Sequence, residues 1–335
     1  MLHKNLVLQF IRVTEAGALG AAQIRGLGDK LEVDKAAYMN MKKVLETSIF
    51  ESRIVGSEGE KDKSHTFSYG TILGDPAGDK LDLVVDPVDG TRMTADYDDS
   101  GAMAVICAAE RGNLMRIPTD RIYTLKIAVG PNAKNAINLN LPLEENIKNI
   151  ASALEKDTDQ LLACMLKRAR HNEFLKKLRN LGVRVKLIQD GDISGAIATC
   201  TPDAPIDLFF GSGGPPEGVI AATAVKSMGG DMQLKWVPEM VNPENLSSTE
   251  KELKIKKSYE LAERLEIDHE KIYSLEEIAK GHVMFAATGI TRGDLLQGVR
   301  FTRDGARTHS VAMRSQTMTI RFVEAIHRFH KSPIY

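Results

Sequence analysis

The sequence is short of the features that mark several classes of protein. Its 335 residues include only three cysteines, Cys107, Cys164 and Cys200, widely spaced among apolar neighbours. Such spacing favours buried free thiols over a disulfide framework or a zinc site. The 44 basic and 45 acidic side chains nearly cancel. That balance provides no overall basic field for nucleic acid and no acidic tail.

The sequence also lacks a long apolar run. Charges at Lys4, Arg12 and Glu15 interrupt the N-terminal segment, which argues against a signal peptide. No uninterrupted stretch reaches the ~18 apolar residues that a membrane span needs. We therefore expect a cytoplasmic protein with no membrane partner, in which the 43% of hydrophobic residues form a sizeable core.

The alternation of helical and strand patterns predicts an α/β fold. In the first half, helices are expected over 5–24 and about 34–46, and strands over 80–86, 101–110 and 123–130. From residue 143 onward, helices alternate with strands in the manner of βαβ units. We place a division near residue 165, which gives an N-terminal half (1–165) and a C-terminal half (166–335).

Two carboxylates mark the end of one predicted strand, in LVVDPVDGTRM. Asp86 follows the apolar run and precedes a proline, which keeps it extended. Asp89 comes three residues later, and Gly90 permits a tight turn. Two carboxylates on a stiff turn repel each other unless a cation lies between them. Hard divalent cations with oxygen ligands meet that need.

Two further acidic clusters lie at the ends of predicted elements. Asp34 stands at a predicted helix start, and Glu58, Glu60 and Asp62 follow a predicted strand. Acidic residues also cap helices and line loops. For Asp34, the residues alone leave both interpretations open.

The spacing of the carboxylates argues against one large class of phosphatases. Haloacid-dehalogenase enzymes carry D-x-D-G-T, in which the first aspartate becomes phosphorylated. Here the aspartates stand at i and i+3, after several other elements. The spacing therefore argues against that family.

The segments DPVDGT and SEGE together resemble the inositol-monophosphatase superfamily of metal-dependent, lithium-sensitive phosphatases. The usual closing tryptophan-aspartate motif is missing, because the only tryptophan, Trp236, is followed by valine. GSGGPPEG, at 211–218, stands in its place and is typical of the class II fructose-1,6-bisphosphatases of bacteria. FIRVTEAGAL, IQDGDISGAI and FAATGITRGDLLQGV match the family in order, so the resemblance covers nearly the whole chain.

The resemblance implies both a fold and a reaction. The fold would be a layered α-β-α-β-α sugar-phosphatase-like architecture with two halves. The reaction would be hydrolysis of the 1-phosphate of fructose 1,6-bisphosphate to fructose 6-phosphate, a step of gluconeogenesis that needs Mg²⁺ or Mn²⁺. The family also implies a homo-oligomer, either a dimer or a tetramer.

The resemblance further implies a role for individual residues. The metal ligands would be Asp34, Glu58, Asp86, Asp89 and Glu217. The catalytic pair that orients the attacking water would be Asp62 and Thr91. The substrate contacts would be Asp89, Gly90, Thr91, Tyr123, Arg168, Arg170, Asp190, Asp192 and Gly214. Among them, Tyr123 and the two arginines would hold the phosphate that is not cleaved, and Asp190 and Asp192 would accept hydrogen bonds from sugar hydroxyls.

Several of these assignments have alternatives in the sequence itself. Without the family, Arg168 and Arg170 would be interpreted as a solvated basic face, and Glu217 as a helix cap. Asp89 stands where the family often has glutamate. Three other functions compete with the main one: a dual enzyme that also takes sedoheptulose 1,7-bisphosphate, an inositol-monophosphatase-like enzyme, and a non-catalytic sugar-phosphate-binding module.

Overall fold

The computed structural model describes residues 6–58, 67–202, 204–241 and 246–330. The helices are α1 (Leu6–Ala22), α2 (Lys30–Glu46), α3 (Thr91–Ala95), α4 (Leu143–Ala153), α5 (Asn172–Asn180), α6 (Asp192–Ala198), α7 (Pro215–Ser227), α8 (Ser248–Arg264) and α9 (Leu275–Ile278). The strands are β1 (Glu51–Ser57), β2 (Ile72–Gly74), β3 (Lys80–Asp89), β4 (Met103–Glu110), β5 (Thr124–Val129), β6 (Leu162–Leu166), β7 (Arg184–Ile188), β8 (Leu208–Gly213), β9 (Asp231–Trp236), β10 (Ile272–Ser274), β11 (Val283–Gly289), β12 (Arg300–Thr302), β13 (Gly305–Arg314) and β14 (Thr319–Arg328). No helix in these ranges is long and apolar enough to cross a membrane.

The first sheet joins strands from both ends of the chain. Its order is β12-β13-β11-β4-β3-β1-β2, and β14 pairs with the other edge of β13. β1 and β3 run parallel, and the other described pairs are antiparallel. β13 and β14 form a long antiparallel pair near the C-terminus.

The second sheet has the order β10-β9-β5-β8-β6-β7. β6 runs parallel to both β7 and β8. α6 connects β7 to β8, which confirms the predicted βαβ arrangement. The other described pairs in this sheet are antiparallel. β5 and β6 belong to the same sheet, and the division near residue 165 stays a prediction.

Helices fill the space between and outside the two sheets. α1 and α2 pack on one face of the first sheet, where Phe10 and Met41 meet Leu83 in an apolar cluster. α6 and α7 lie between the sheets, so that Val219 shares a core with residues of both. α4 and α5 cover the outer face of the second sheet through Ile147 and similar side chains. The layers therefore follow the predicted α-β-α-β-α order.

Some element bounds differ from the predictions for physical reasons. α2 begins at Lys30, a turn earlier than predicted, because Asp29 caps it by accepting hydrogen bonds from the next amides. The short apolar strand β6 and the strand β9 were not predicted. After α8 ends, β10 pairs with β9, so the charged segment 246–280 contains a strand as well as helices.

Candidate active site

The carboxylates of DPVDG lie in a β-bulge. The predicted strand end at Asp86 is wrong: β3 continues through the proline to Asp89. Asp86 pairs with Val105 of β4 and Asp89 with Met103, so three steps on β3 oppose two on β4. Proline, which has no N–H, is tolerated at such a bulge. A regular strand would put the two aspartates on opposite faces; the extra residue returns them to the same side.

Both aspartates are buried, and each has one side-chain oxygen without a hydrogen-bond partner among the described residues. Asp86 is 1% exposed and Asp89 4%. Asp86 Oδ1 accepts a hydrogen bond from the amide of Val88 at 3.0 Å. Asp86 Oδ2 and Asp89 Oδ2 are buried and have no hydrogen-bond partner among the described residues. Burying a charged oxygen in this way is unfavourable unless a cation compensates it.

Carboxylates from three more elements join this pair. Desolvation raises the pKa of Glu58 well above its usual range, and the charges of Asp86 and Glu217 raise it further. Desolvation also raises the pKa of Asp86, with Glu217 and Asp34 adding to the effect. The pKa of Asp89 is raised by its burial and by the charge of Asp86. The five predicted metal ligands therefore share one low-dielectric region, in which their mutual repulsion favours a bound cation.

A hard divalent cation fits these residues. Within the described ranges, no group of three or more acidic, histidine or cysteine side chains is placed to hold a metal ion by itself. Mg²⁺ usually keeps several water ligands and takes one or two carboxylates together with substrate phosphate oxygens. The spare oxygens of Asp86 and Asp89 suit that mode of binding.

Thr91 lies beside the carboxylates and has a partner that the sequence did not predict. Its hydroxyl donates to Asp34 Oδ1 at 2.8 Å, and it lies 3.1 Å from the carbonyl oxygen of Val88. α3 starts immediately after Gly90, whose φ of +100° suits glycine. The other member of the predicted catalytic pair, Asp62, lies outside the described residues.

Asp34 and Glu217 both project from helices. Asp34 is in the second turn of α2, and Asp29 occupies the N-cap, so the capping interpretation of Asp34 is wrong. Glu217 is in the first turn of α7, which begins after Gly214. A Cβ atom at Gly214 would lie 2.1 Å from Glu217 Oε2. Glycine at 214 thus leaves room for the carboxylate of Glu217.

The predicted phosphate-binding residues Tyr123 and Arg170 are in contact. The guanidinium carbon of Arg170 lies 4.4 Å from the centroid of the Tyr123 ring. Arg170 Nε donates to Ser212 Oγ at 3.0 Å, and Nη2 donates to the Ser212 carbonyl oxygen at 2.7 Å. A stacked and hydrogen-bonded guanidinium is held in a fixed orientation, which suits phosphate recognition.

His171 contacts Ser212, the residue to which Arg170 donates its hydrogen bonds. Its Nε2 accepts a hydrogen bond from the amide of Ser212 at 2.9 Å, and its Nδ1 lies 2.9 Å from the carbonyl oxygen of Leu166. These partners require a neutral ring with the proton on Nδ1. Burial lowers the pKa of His171 to about 4.

The other predicted arginine, Arg168, forms an ion pair with Asp190. Arg168 also lines a cavity of about 410 Å³ together with Arg92 and Lys167. The structure therefore joins two predicted substrate contacts to each other and places two further cationic side chains beside them.

Asp192 completes the predicted set, and it too has an unpredicted partner. It is the first residue of α6 and accepts a 2.6 Å hydrogen bond from Lys126 Nζ. Burial alone would raise the pKa of Asp192, but the Lys126 ammonium holds it below its usual value. The charges of both Asp190 and Asp192 raise the pKa of Asp89. The predicted sugar contacts therefore adjoin the carboxylate cluster.

Sequence reasoning missed Lys126, Ser212 and His171. Lys126 interrupts the apolar strand YTLKIAV, and a charged residue at a position that should be buried is a detectable signal. His171 follows directly after Arg170. Ser212 gives no comparable signal, because its role depends on β8 lying next to the loop before α5.

Comparisons with known proteins agree with the resemblance that the sequence motifs indicated. The family described as bacterial fructose-1,6-bisphosphatase, glpX-encoded, matches residues 4–327. The chain is 38% identical over 328 residues to fructose-1,6-bisphosphatase class 2 of Haemophilus influenzae, with 97% of each chain covered. It is 37% identical over 331 residues to fructose-1,6-bisphosphatase 1 class 2 of Escherichia coli K12, covering 97% of this chain and 96% of the relative.

The layered fold and its buried carboxylate cluster define a metal-dependent phosphatase. The chain belongs to the bacterial, glpX-encoded fructose-1,6-bisphosphatase family. The resemblance found in the sequence motifs is thereby confirmed.

Proposed function

We propose that this protein hydrolyses fructose 1,6-bisphosphate to fructose 6-phosphate and phosphate. One observation carries the proposal. The charge of Glu217, in the carboxylate cluster, acts on Arg170. Arg170 in turn is fixed on Tyr123 and Ser212. A cation-binding centre next to an oriented guanidinium suits a substrate with one phosphate to cleave and a second to hold.

The carboxylates would hold the cations that the reaction needs. Asp34, Glu58, Asp86, Asp89 and Glu217 are the proposed ligands. Bound Mg²⁺ or Mn²⁺ would neutralise phosphate charge and make water a better nucleophile. Phosphoryl transfer depends mainly on positioning and charge neutralisation, which a rigid and buried cluster provides.

Thr91 is the proposed residue for orienting the attacking water. Its hydroxyl donates to Asp34, and its oxygen keeps a lone pair that can accept a hydrogen bond from water. Asp62 is proposed as the second member of this pair and draws the proton away from the water. The amides of Gly90 and Thr91, at the start of α3, are proposed to bind the phosphate that is cleaved.

Arg170 and Arg168 are proposed to bind the end of the substrate that carries the phosphate that is not cleaved. Arg170 uses Nε and Nη2 for Ser212, and its Nη1 has no hydrogen-bond partner among the described residues. That group is free to donate to the 6-phosphate. Arg168 is the proposed second donor, whereas Asp190 and Asp192 accept from sugar hydroxyls, and Gly214 lets the backbone approach the sugar.

A phosphate-release assay over a small substrate panel tests this proposal. The purified protein should release phosphate from fructose 1,6-bisphosphate with Mg²⁺ or Mn²⁺, and EDTA should abolish the release. Inositol 1-phosphate and fructose 6-phosphate should react at least ~10-fold less efficiently, because neither offers a second phosphate to Arg170. Equal rates on all three substrates would refute a bisphosphate-specific site.

The proposal extends to the setting of the enzyme. We infer a role in gluconeogenesis in the cytoplasm and assembly into a homo-oligomer, either a dimer or a tetramer. Family membership supports these inferences. Sedimentation of the purified protein would give the subunit number, and a monomer at micromolar concentration would contradict the last of them.

A further inference from the structure

Lys126 is a buried cation in the middle of a β-sheet. It lies in β5, its side chain is 1% exposed, and its Nζ donates to Asp192 Oδ2 at 2.6 Å. The side chain of Asp192 is 7% exposed. Lysine is almost never fully buried unless it is paired, because removing its charge from water is costly. Neighbouring positions of β5, such as Ile127, carry the apolar side chains expected there.

The surrounding backbone fits closely around this ion pair. A Cβ atom at Gly213 would lie 2.3 Å from Asp192 Oδ2 and 3.0 Å from Lys126 Nζ. Gly213 lies on β8 and pairs with Thr124 of β5. On its other side, Asp192 follows Gly191, whose φ is +91°. The carboxylate of Asp192 is therefore confined between Lys126 and the backbone at Gly213.

This confined carboxylate lies between the two ends of the proposed substrate site. The charge of Asp192 acts on Asp89 in the carboxylate cluster and on Arg170 in the phosphate-binding group. The sugar of a substrate that spanned both ends would lie near this side chain. A hydrogen-bond acceptor there is useful only when its orientation is fixed before the substrate binds.

We propose that Lys126 is a positioning residue, which holds Asp192 in the orientation that accepts a hydrogen bond from a sugar hydroxyl. The inference rests on the proposed function, because it assumes a sugar bisphosphate as the substrate. Lys126 acts through Asp192 and does not contact the phosphate. Removing Lys126 should therefore weaken substrate binding, and it should do so only while the Asp192 carboxylate is present.

A double-mutant cycle at positions 126 and 192 tests this inference. The variants are Lys126→Met, Asp192→Asn and the double variant, assayed with fructose 1,6-bisphosphate at saturating Mg²⁺ or Mn²⁺. A hydrogen bond to a charged group contributes about 1.5–3 kcal/mol, which is about 10- to 100-fold in binding. Lys126→Met should raise KM by that factor and change kcat much less. In the Asp192→Asn background, the same substitution should change KM less than ~3-fold, because the carboxylate is already absent.

Two measurements separate positioning from a purely structural role. Lys126→Met leaves a buried carboxylate without its partner, so the midpoint of thermal unfolding should fall by roughly 5 °C. Asp192→Asn should restore that midpoint in the double variant without restoring KM. A structural role alone would make KM recover together with stability. If Lys126→Met does not fold, Lys126→Gln replaces it in the cycle, since it removes the charge and its shorter side chain cannot reproduce the 2.6 Å contact of Lys126 Nζ with Asp192.

A matched control and a second substrate complete the design. Lys156 forms an ion pair with Asp207, next to β8 and outside the proposed site, so Lys156→Met should leave KM unchanged. With p-nitrophenyl phosphate, which has no sugar, the loss caused by Lys126→Met should be at least ~10-fold smaller. An unchanged KM in Lys126→Met, or an equal increase in both backgrounds, would overturn the inference. Failure of the unmodified protein to hydrolyse fructose 1,6-bisphosphate would instead overturn the proposed function.

Discussion

Replacing Asp86 with asparagine should abolish activity and stabilise the metal-free protein. The substitution keeps the shape of the side chain and its acceptor for the Val88 amide, but it removes one charge from the buried cluster. Loss of a group that stabilises charge in the transition state costs several kcal/mol, so turnover should fall by at least ~10³-fold. The fold should survive.

The expected gain in stability follows from the direction of the pKa shifts. Burial and neighbouring charges raise the pKa values of Glu58, Asp86 and Asp89 in the folded state. A raised carboxyl pKa favours the folded state below the unfolded pKa, and this contribution is lost as pH rises through the folded pKa. The metal-free protein is therefore weakened at neutral and higher pH. Asp86→Asn should stabilise it there by about 0.5–2 kcal/mol, and by much less near pH 4.

With metal bound, the unmodified protein should be more stable than Asp86→Asn, which is the reverse of their order without metal. At a metal concentration 100 times its dissociation constant, a bound ion stabilises the folded state by about 2.7 kcal/mol. For 335 residues, the unfolding entropy is roughly 0.7 kcal/mol per degree, so the midpoint should rise by about 4 °C. The unmodified protein should show this rise with Mg²⁺ or Mn²⁺ at pH 8, and Asp86→Asn should lose most of it.

Asp82 provides a control on the same strand. It is buried like Asp86, but it accepts hydrogen bonds from Arg53 and from the amide of Gly112. Asp82→Asn should therefore destabilise the protein by about 1–3 kcal/mol at every metal concentration and leave the metal-induced rise intact. Thermal scans with and without metal, together with phosphate release, measure both effects. Near-normal turnover of Asp86→Asn, or an undiminished metal-induced rise, would refute the assignment of Asp86 as a ligand.

Three further predictions concern the residues around the cluster. Thr91→Val should lower kcat with little change in KM, because the hydroxyl acts mainly in the transition state; a raised KM with normal kcat would make Thr91 a binding residue. Arg170→Ala should lower kcat/KM for fructose 1,6-bisphosphate by about 10- to 100-fold, and Arg168→Ala should act in the same direction. With p-nitrophenyl phosphate both losses should be much smaller, and equal losses on the two substrates would contradict a role in holding the second phosphate. The stability that neutral His171 provides is present above pH 6.5 and is lost as pH falls toward about 4, its lowered pKa. Urea unfolding at pH 7.5 and 5 should therefore show a loss of roughly 2 kcal/mol that His171→Gln does not show, and equal losses in the two proteins would contradict the neutral tautomer.

The layer order could be predicted because the resemblance extended along the chain, whereas individual strands could not. β6 is a run of five residues, too short for periodicity to separate it from the end of a helix. β10 is a short edge strand within a charged segment, where local composition favours helix. These elements form because the neighbouring strands of the second sheet offer them hydrogen-bond partners, and no local pattern records that.

The residues of the candidate site also differ in how far the sequence alone could predict them. Asp86 and Asp89 were predicted from proline and charge repulsion alone, since both effects act between neighbouring residues. Glu217 needed the family motif, because it comes from a distant helix. The charge of Lys126 inside an apolar strand is visible in the sequence, but its partner is not, and Ser212 gives no signal at all. Both roles exist only when β5, β8 and the loop before α5 come together.

The bulge in β3 makes the site depend on how many residues lie between Asp86 and Asp89. Residues of a strand alternate between two faces, and the bulge cancels one step of that alternation. Deleting Val88 would leave the aspartates at i and i+2, on one face of a regular strand. It would also remove the amide that donates a hydrogen bond to Asp86. Inserting one residue would send one carboxylate to the opposite face of the sheet if the bulge stays, and would separate the two carboxylates by four regular steps if the bulge is lost. In this segment a change of length is therefore more damaging than a change of side chain, and the apolar position between the carboxylates should tolerate Ile or Leu far better than any insertion or deletion.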